Sequence, residues 1–264
     1  MGSIDLSFQD LLWVYLLLLI PVGVSLYLKL GIVKETLIAL VRMTLQLILV
    51  GLYLDVIFEI NSLLLNIAWI LVMLVTANVS IIKRSNLKLR KIFPATFIGI
   101  SFATALVLVV FVGLAIQPTP VYNARYLIPI GGMILGNCMR GNIISLERFY
   151  SSIRKNEKEF ITYQLLGANL SEACLPYMRS ALLAAIGPHI STMATMGIVS
   201  LPGMMTGQIL GGATPSAAIK YQIAIMICIF TAMITASTVN ILLTWKIAFN
   251  DYGMLKQDFF AKPK

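Results

Sequence analysis

Residues 62–91 read SLLLNIAWILVMLVTANVSIIKRSNLKLRK: an apolar run from Leu63 to Ile82 without a charged residue, followed closely by Lys83, Arg84, Lys88, Arg90 and Lys91. An uncharged run of this kind matches the roughly 20 residues that cross a hydrocarbon core as a helix. A lysine and arginine cluster directly behind a span marks the loop retained on the cytoplasmic side. The pattern therefore predicts membrane helices whose orientation is written in their flanking charges.

The same pattern recurs along the chain. The 264 residues are 59% hydrophobic and 12% charged, with mean hydropathy +0.89, against roughly 25% charged residues in an ordinary soluble domain. Apolar runs between charged punctuation predict about seven spans, near 8–28, 36–58, 62–82, 92–116, 126–146, 180–212 and 217–245. The sixth is too long for one straight crossing and contains Gly187-Pro188 and Pro202-Gly203, so it is expected to be kinked, broken or partly re-entrant. The expected architecture is all-α and polytopic: one permease-like transmembrane domain over 1–264, multi-pass in a plasma or inner membrane.

The basic residues set its orientation. Lys29 and Lys34 follow the first span, and Arg148, Arg154, Lys155 and Lys158 follow the fifth, as the Lys83 to Lys91 cluster follows the third. The alternate connections carry Asp5 and Asp10, then Asp55 and Glu59, then the stretch from Gln117 to Asn123, which has no Lys or Arg near its turn. The N-terminus is therefore expected outside, and the tail with Lys256, Lys262 and Lys264 inside. This accounts for the net charge of +9 without nucleic acid. No basic residue precedes the first span, so it lacks the start of a cleaved signal peptide. Cys138, Cys174 and Cys228 are odd in number and widely spaced, and imply no disulfide framework.

One connection is long. From about 147 to 179 the chain is polar and helix-compatible, with Glu157 and Glu159 in a first turn and a stop at Gly167; a second short helix is expected near Ser171-Glu172. Two short helices around Leu166, Gly167 and Ala168 would make a docking knob, the alternative being an inert connector.

Chemistry-bearing side chains are scarce. His189 is the single histidine, Asp and Glu are nearly absent from the spans, and no GxxxxGK[ST] loop is present to cradle nucleotide phosphates. An intramembrane enzyme lacks its catalytic set, and any ATP and Mg must be bound by a partner. Arg42 and Gln46, four apart, share one face of the second span. They either face a translocation path or, for Arg42, snorkel to the surface. Asn137 and Arg140 on the fifth span pose the same choice, beside a Gly132 and Gly136 pair spaced for close helix packing. Met193, Met196, Met204 and Met205 cluster in the sixth span, where thioethers serve either as soft-metal ligands or as flexible packing.

Three stretches carry a resemblance: ALVRMTLQL at 39–47, RYLIP at 125–129 running into GMILGN at 132–137, and VSLPGMMTGQILGG at 199–212 with Pro215 and Tyr221-Gln222 following. Together they resemble the FetB (YbbM)-type permeases, a family linked to bacterial iron export with plant relatives in aluminium tolerance. The resemblance implies an ABC half-transporter in which two permease chains pair with two separate cytosolic ATPase chains. It implies ATP-driven export of iron or another metal ion, or alternatively of a nucleotide sugar such as UDP-glucose. The coupling region would include Glu157, Glu159, Leu166, Gly167 and Ala168, without the Glu-Ala-Ala triplet of importers. The path would draw on Arg42, Gln46, Asn137, Arg140, Met204, Met205 and Gln208, with Pro202, Gly203 and Gly207 as the hinge. A gradient-driven secondary transporter is the competing class, and it would need intramembrane Asp, Glu or His for the coupling ion.

Overall fold

A computed structural model describes residues 7–260, so Asp5, Lys262 and Lys264 lie outside the described residues. Helices follow one another as α1 (Phe8–Leu16), α2 (Leu19–Tyr27), α3 (Val33–Ile60), α4 (Leu63–Arg84) and α5 (Leu89–Leu108), the last continued by a π-helical segment, Val109–Ile116. Next come α6 (Ala124–Lys155), α7 (Glu157–Leu165), α8 (Leu170–Thr195), α9 (Gly203–Leu210) and α10 (Pro215–Ala248), then a 3₁₀ turn, Gln257–Phe259. No strand occurs among the described residues. The protein is an all-α multi-pass membrane protein.

Among the described residues six stretches are long and apolar enough to cross a membrane: Gln9–Tyr27, Val33–Ile60, Leu63–Arg84, Leu89–Ile116, Ala124–Lys155 and Pro215–Ala248. The first is interrupted at Leu17-Leu18, between α1 and α2. The expected sixth span, 180–212, is not one helix. Its place is taken by α8, a linker from Met196 to Pro202, and the eight-residue α9. Pro202 cannot donate to a helix and Gly197 adopts φ +86°, so no helical ladder runs through the linker that holds them. At 26 residues α8 is about 39 Å long. It runs antiparallel to α10, with His189 stacked on Phe230 and the Gln222 amide nitrogen 3.9 Å from the Met196 sulfur.

The core lies where α4, α5, α6, α8 and α10 meet, around Ile81, Ile82, Ile100, Ile134, Leu146, Phe149 and Tyr150. Two glycines set the closest approaches. A Cβ on Gly99 would sit 1.9 Å from the Asn240 side-chain oxygen, and one on Gly141 would sit 2.4 Å from Met233 Cγ. Lipid offers no hydrophobic drive for helix association, so small residues and cross-helix hydrogen bonds carry it instead. Of the expected pair, Gly132 faces α4 closely, its Cβ position 3.2 Å from Met73 Cε, and Gly136 does not, a Cβ there meeting nothing within 4 Å. Beside Gly99 and Gly141 the Asn240 amide donates to Asn142 Oδ1 at 2.7 Å, and Tyr150 donates to Thr244 at 2.7 Å.

Loops gather at the two ends. At one, Asn61 Oδ1 accepts from the Ala124 N–H at 2.9 Å and Asn66 donates to the Tyr122 carbonyl at 2.8 Å. At the other, the Lys88 N–H donates to the Phe259 carbonyl at 3.0 Å, Gln164 donates to the Gly253 carbonyl at 3.1 Å, and Arg154 lies over the Phe260 ring. This second end collects the basic 83–91 loop, α7 and the C-terminal tail. Lys91 pairs with Asp258 there, the one salt bridge among the described residues. The Lys91 hydrogen bond, helped by Lys88 and Lys256, holds the Asp258 carboxyl below its usual range. A depressed carboxylate stabilises the fold above its unfolded value and ceases to do so only as pH falls below about 4.

Outside the core stands α3. Among its residues only Ile57 is buried, packed with Ala124 and Ile128 beside the tilted Tyr53 and Trp69 rings. The rest of its apolar surface is left to lipid or to another chain.

Candidate functional site

At the basic end α6 runs 32 residues, about 48 Å, well past a hydrocarbon core of about 30 Å. Its C-terminal end carries α7 to the basic end of the bundle. Phe160 pins α7 to the bundle, fully buried, 5.9 Å from the Tyr177 ring and 5.6 Å from the Phe249 ring. Beyond Leu165 the Gly167 N–H donates to the Gln164 carbonyl and the Ala168 N–H to the Tyr163 carbonyl, both at 3.0 Å, with Gly167 at φ +96°. This is a Schellman stop, which needs a left-handed residue. It leaves Leu165 81% and Leu166 80% exposed at the tip, while Glu159 accepts from the Tyr163 hydroxyl at 2.9 Å. That hydrogen bond to a carboxylate raises the Tyr163 pKa.

The knob differs from expectation in one respect. Its second helix is the start of α8 rather than a separate short element, since Asn169 and Glu172 form a capping box and the helix continues from Leu170 to Thr195. Likewise residues 147–155 belong to α6.

The break in the sixth span builds a second feature, a cavity of about 600 Å³. Met193, Met196, Met205 and Met226 line it with Gln222, Pro202 and apolar neighbours. Met205 is buried, while Met204 packs toward the bundle core and does not line the cavity. Gln208 is half-buried with its carbonyl oxygen enclosed and unpartnered. Gly203 and Gly207 lie within α9 with open space where a Cβ would be. The left-handed glycines are Gly197 and Gly212, at φ +86° and +95°, flanking α9 on either side.

The remaining sequence candidates lie apart from this cavity. Arg42 and Gln46 are exposed on α3 and line a groove of about 420 Å³ shared with Glu35 and Arg84. Asn137 bonds its own helix at the Met133 carbonyl, 2.8 Å away, and Arg140 is exposed. His189 lies on α8 beyond the residues that line the cavity. Its Nε2 is enclosed without a partner, one helical turn from Met193; only the antiparallel pairing of α8 and α10 reveals that neighbourhood. Among the described residues no three His, Cys, Asp or Glu side chains group as metal ligands.

A family model described as "Uncharacterised protein family (UPF0014)" matches residues 8–249. The chain is 33% identical over 245 residues to the UPF0014 membrane protein YjkA of Bacillus subtilis, covering 91% of this chain and 94% of that one. It is 31% identical over 244 residues to the UPF0014 membrane protein STAR2 of rice, covering 91% and 83%. It is also 28% identical over 255 residues, 97% of both chains, to the probable iron export permease protein FetB of Escherichia coli, the relative its motifs resemble. No solved structure matches it. The chain belongs to the uncharacterised protein family UPF0014.

Proposed function

We propose that the chain is the permease subunit of an ATP-driven exporter whose ATPase is a separate cytosolic protein, the basic end facing the cytosol. The observation that carries this is the Leu165-Leu166 tip. Two leucines about four-fifths exposed, held outside the bundle by the overlong α6 and the buried Phe160, have no core of their own to fill. An apolar pair presented on a rigid element is how a helix end engages a hydrophobic cleft in a partner protein. Its position supports coupling, because the Schellman turn connects it directly to α8, the helix that leads to the broken span. Closure of an ATPase pair could then tilt α8 and change access to the cavity beyond its end. Glu157, Glu159, Gly167 and Ala168 belong to the same knob.

A metal ion is the cargo supported by the relationship to FetB, and two copies of the chain with two ATPase chains are the proposed assembly. One observation favours a phosphate-bearing cargo such as a nucleotide sugar. Arg42 and Arg84 line the same groove at the basic end, and guanidinium groups suit phosphate. Vesicles holding the chain with its ATPase separate these cargoes by ATP-dependent uptake of each. Leu165→Asp with Leu166→Asp should abolish ATPase binding or uncouple hydrolysis from transport, membrane insertion remaining normal. Wild-type binding and coupled transport in that double variant would place the docking surface elsewhere.

A further inference from the structure

We propose that Met193, Met196, Met205 and Met226, with Gln222 and His189 beside them, form a binding site for a soft monovalent cation of the Cu(I) or Ag(I) class. The thioethers come from three parts of the chain: Met193 and Met196 at the end of α8, Met205 on α9, and Met226 on α10. Packing alone does not account for them. Methionine is a flexible filler where it closes a gap, yet here four of the eleven residues lining about 600 Å³ of open volume are methionines.

The polar groups at the cavity point the same way. Gln222, buried, directs its amide nitrogen at the Met196 sulfur, 3.9 Å away, which restrains that thioether. His189 lies four residues before Met193 on α8 and stacks on Phe230, which lies four residues after Met226 on α10. Its Nε2 is enclosed and without a partner. His189, one turn from Met193 on the same helix, adds an imidazole beside the thioethers.

The chemistry selects the ion. Thioethers and neutral imidazole are uncharged, polarisable donors that favour Cu(I), whereas Mg²⁺, Mn²⁺ and similar hard ions need carboxylate or carbonyl oxygens. No carboxylate lines the cavity. A single charge is also far cheaper to hold without counter-anions in low dielectric than a double one, since the solvation cost grows with the square of the charge. Gln222 is about 10 Å along α10 from its N-terminus, so the site lies toward the end opposite the basic loops. Gly197 and Gly212, both left-handed, bracket α9 and let Met205 swing away from the other three, which would dismantle the set and release the ion. The ion's role as cargo rests on the permease reading; the site itself does not.

The test is Cu(I) titration of the full chain in lipid nanodiscs under a reductant, against a chromophoric Cu(I) chelator. One Cu(I) per chain is expected, not displaced by equimolar Fe(II). Loss of even outer-shell partners weakens metal sites by about 10–100-fold, so Met196→Leu with Met226→Leu should weaken Cu(I) by at least about tenfold. Circular dichroism and gel filtration check its fold, and Met193→Leu, at a more exposed position, serves if the double variant fails to fold. Cys228→Ala should bind as wild type does. No Cu(I) on the wild-type chain, undiminished binding in the methionine variants, or loss of binding in Cys228→Ala would each overturn the site. Cu(I) binding without ATP-dependent transport of any cargo would instead sink the permease reading and leave the site standing.

Discussion

Gly99 and Gly141 hold the bundle together by what they lack. Each faces a side chain that leaves no room for a Cβ, and Asn240 fills the space beside Gly99 while donating to Asn142 across the helix interface. Overpacking of a close-packed core costs about 1–3 kcal/mol. Gly99→Ala should therefore lower the thermal midpoint of the detergent-solubilised protein by several degrees, at about 2–4 °C per kcal/mol, read as loss of the folded peak in gel filtration after heating. Gly136→Ala, with nothing within 4 Å of the new methyl, should leave the midpoint unchanged. Equal midpoints for the two would remove the close approach at Gly99 as a source of stability. A sequence shows small residues at helical spacing, and Gly132 with Gly136 fits that description better than Gly99 does. What it cannot show is the facing side chain. Asn142 and Asn240 are 98 residues apart, and each in isolation is a polar interruption with no visible partner. Arg42 and Gln46 were legible as an unusual pair, but their groove with Arg84 depends on how far α3 stands from α4.

At the scale of elements, apolar runs located the helices because hydrophobicity and span length are properties of the segment itself. The Gly167 stop was equally local, since a left-handed cap favours glycine. The mistaken element was the second helix of the knob. Residues 170–179 read as a separate polar helix, yet they are the membrane-emergent base of α8, with Arg179 and Glu172 turned outward and Ala173, Cys174 and Tyr177 turned into the core. Polarity averaged over the segment hid a helix with one buried face. The C-terminal strap was also invisible, because nothing in Gln257-Asp258-Phe259 announces a core residue. Phe259 is nevertheless fully buried, 4.8 Å from the Tyr150 ring, and its carbonyl takes the Lys88 N–H. It ties the tail to both the 83–91 loop and α6. Truncating a buried Phe to Ala costs about 3–5 kcal/mol, so Phe259→Ala should free the tail and open the loop at Asn86 to protease. A digestion pattern identical to wild type in that variant would mean that the tail is held by Lys91 and Asp258 instead.

For the whole molecule, charge alone sorted the loops into two sets, and the hydrogen bonds gather the same sets at opposite ends. Long-range sorting was legible because the positive-inside rule acts on each loop separately and needs no knowledge of packing. The number of crossings was less legible. Six stretches qualify by length and hydropathy, and α8 does not, because its polar base and its two prolines lower its apolar character. From its antiparallel course along α10, from the basic end at Asn169 to Met196 beside Gln222, we propose that it is a seventh traverse. Seven crossings would put the two termini on opposite sides, and a cytosolic basic tail would then place the N-terminus outside. Cysteine labelling of whole cells decides this. Ser85 is buried and a poor reporter, whereas Lys158 on α7 and Val121 at the opposite end are exposed. An impermeant thiol reagent added outside should modify Val121→Cys and a cysteine placed at Gln9, and spare Lys158→Cys until the membrane is permeabilised. Labelling of Gln9→Cys and Lys158→Cys together from one side would mean an even number of crossings between them. That outcome would remove either the α1 and α2 stretch or one of α3 to α6 from the set of spans, since α8 lies beyond Lys158. Labelling of Lys158→Cys alone from outside would invert the whole molecule and put the Leu165-Leu166 tip out of reach of any cytosolic ATPase.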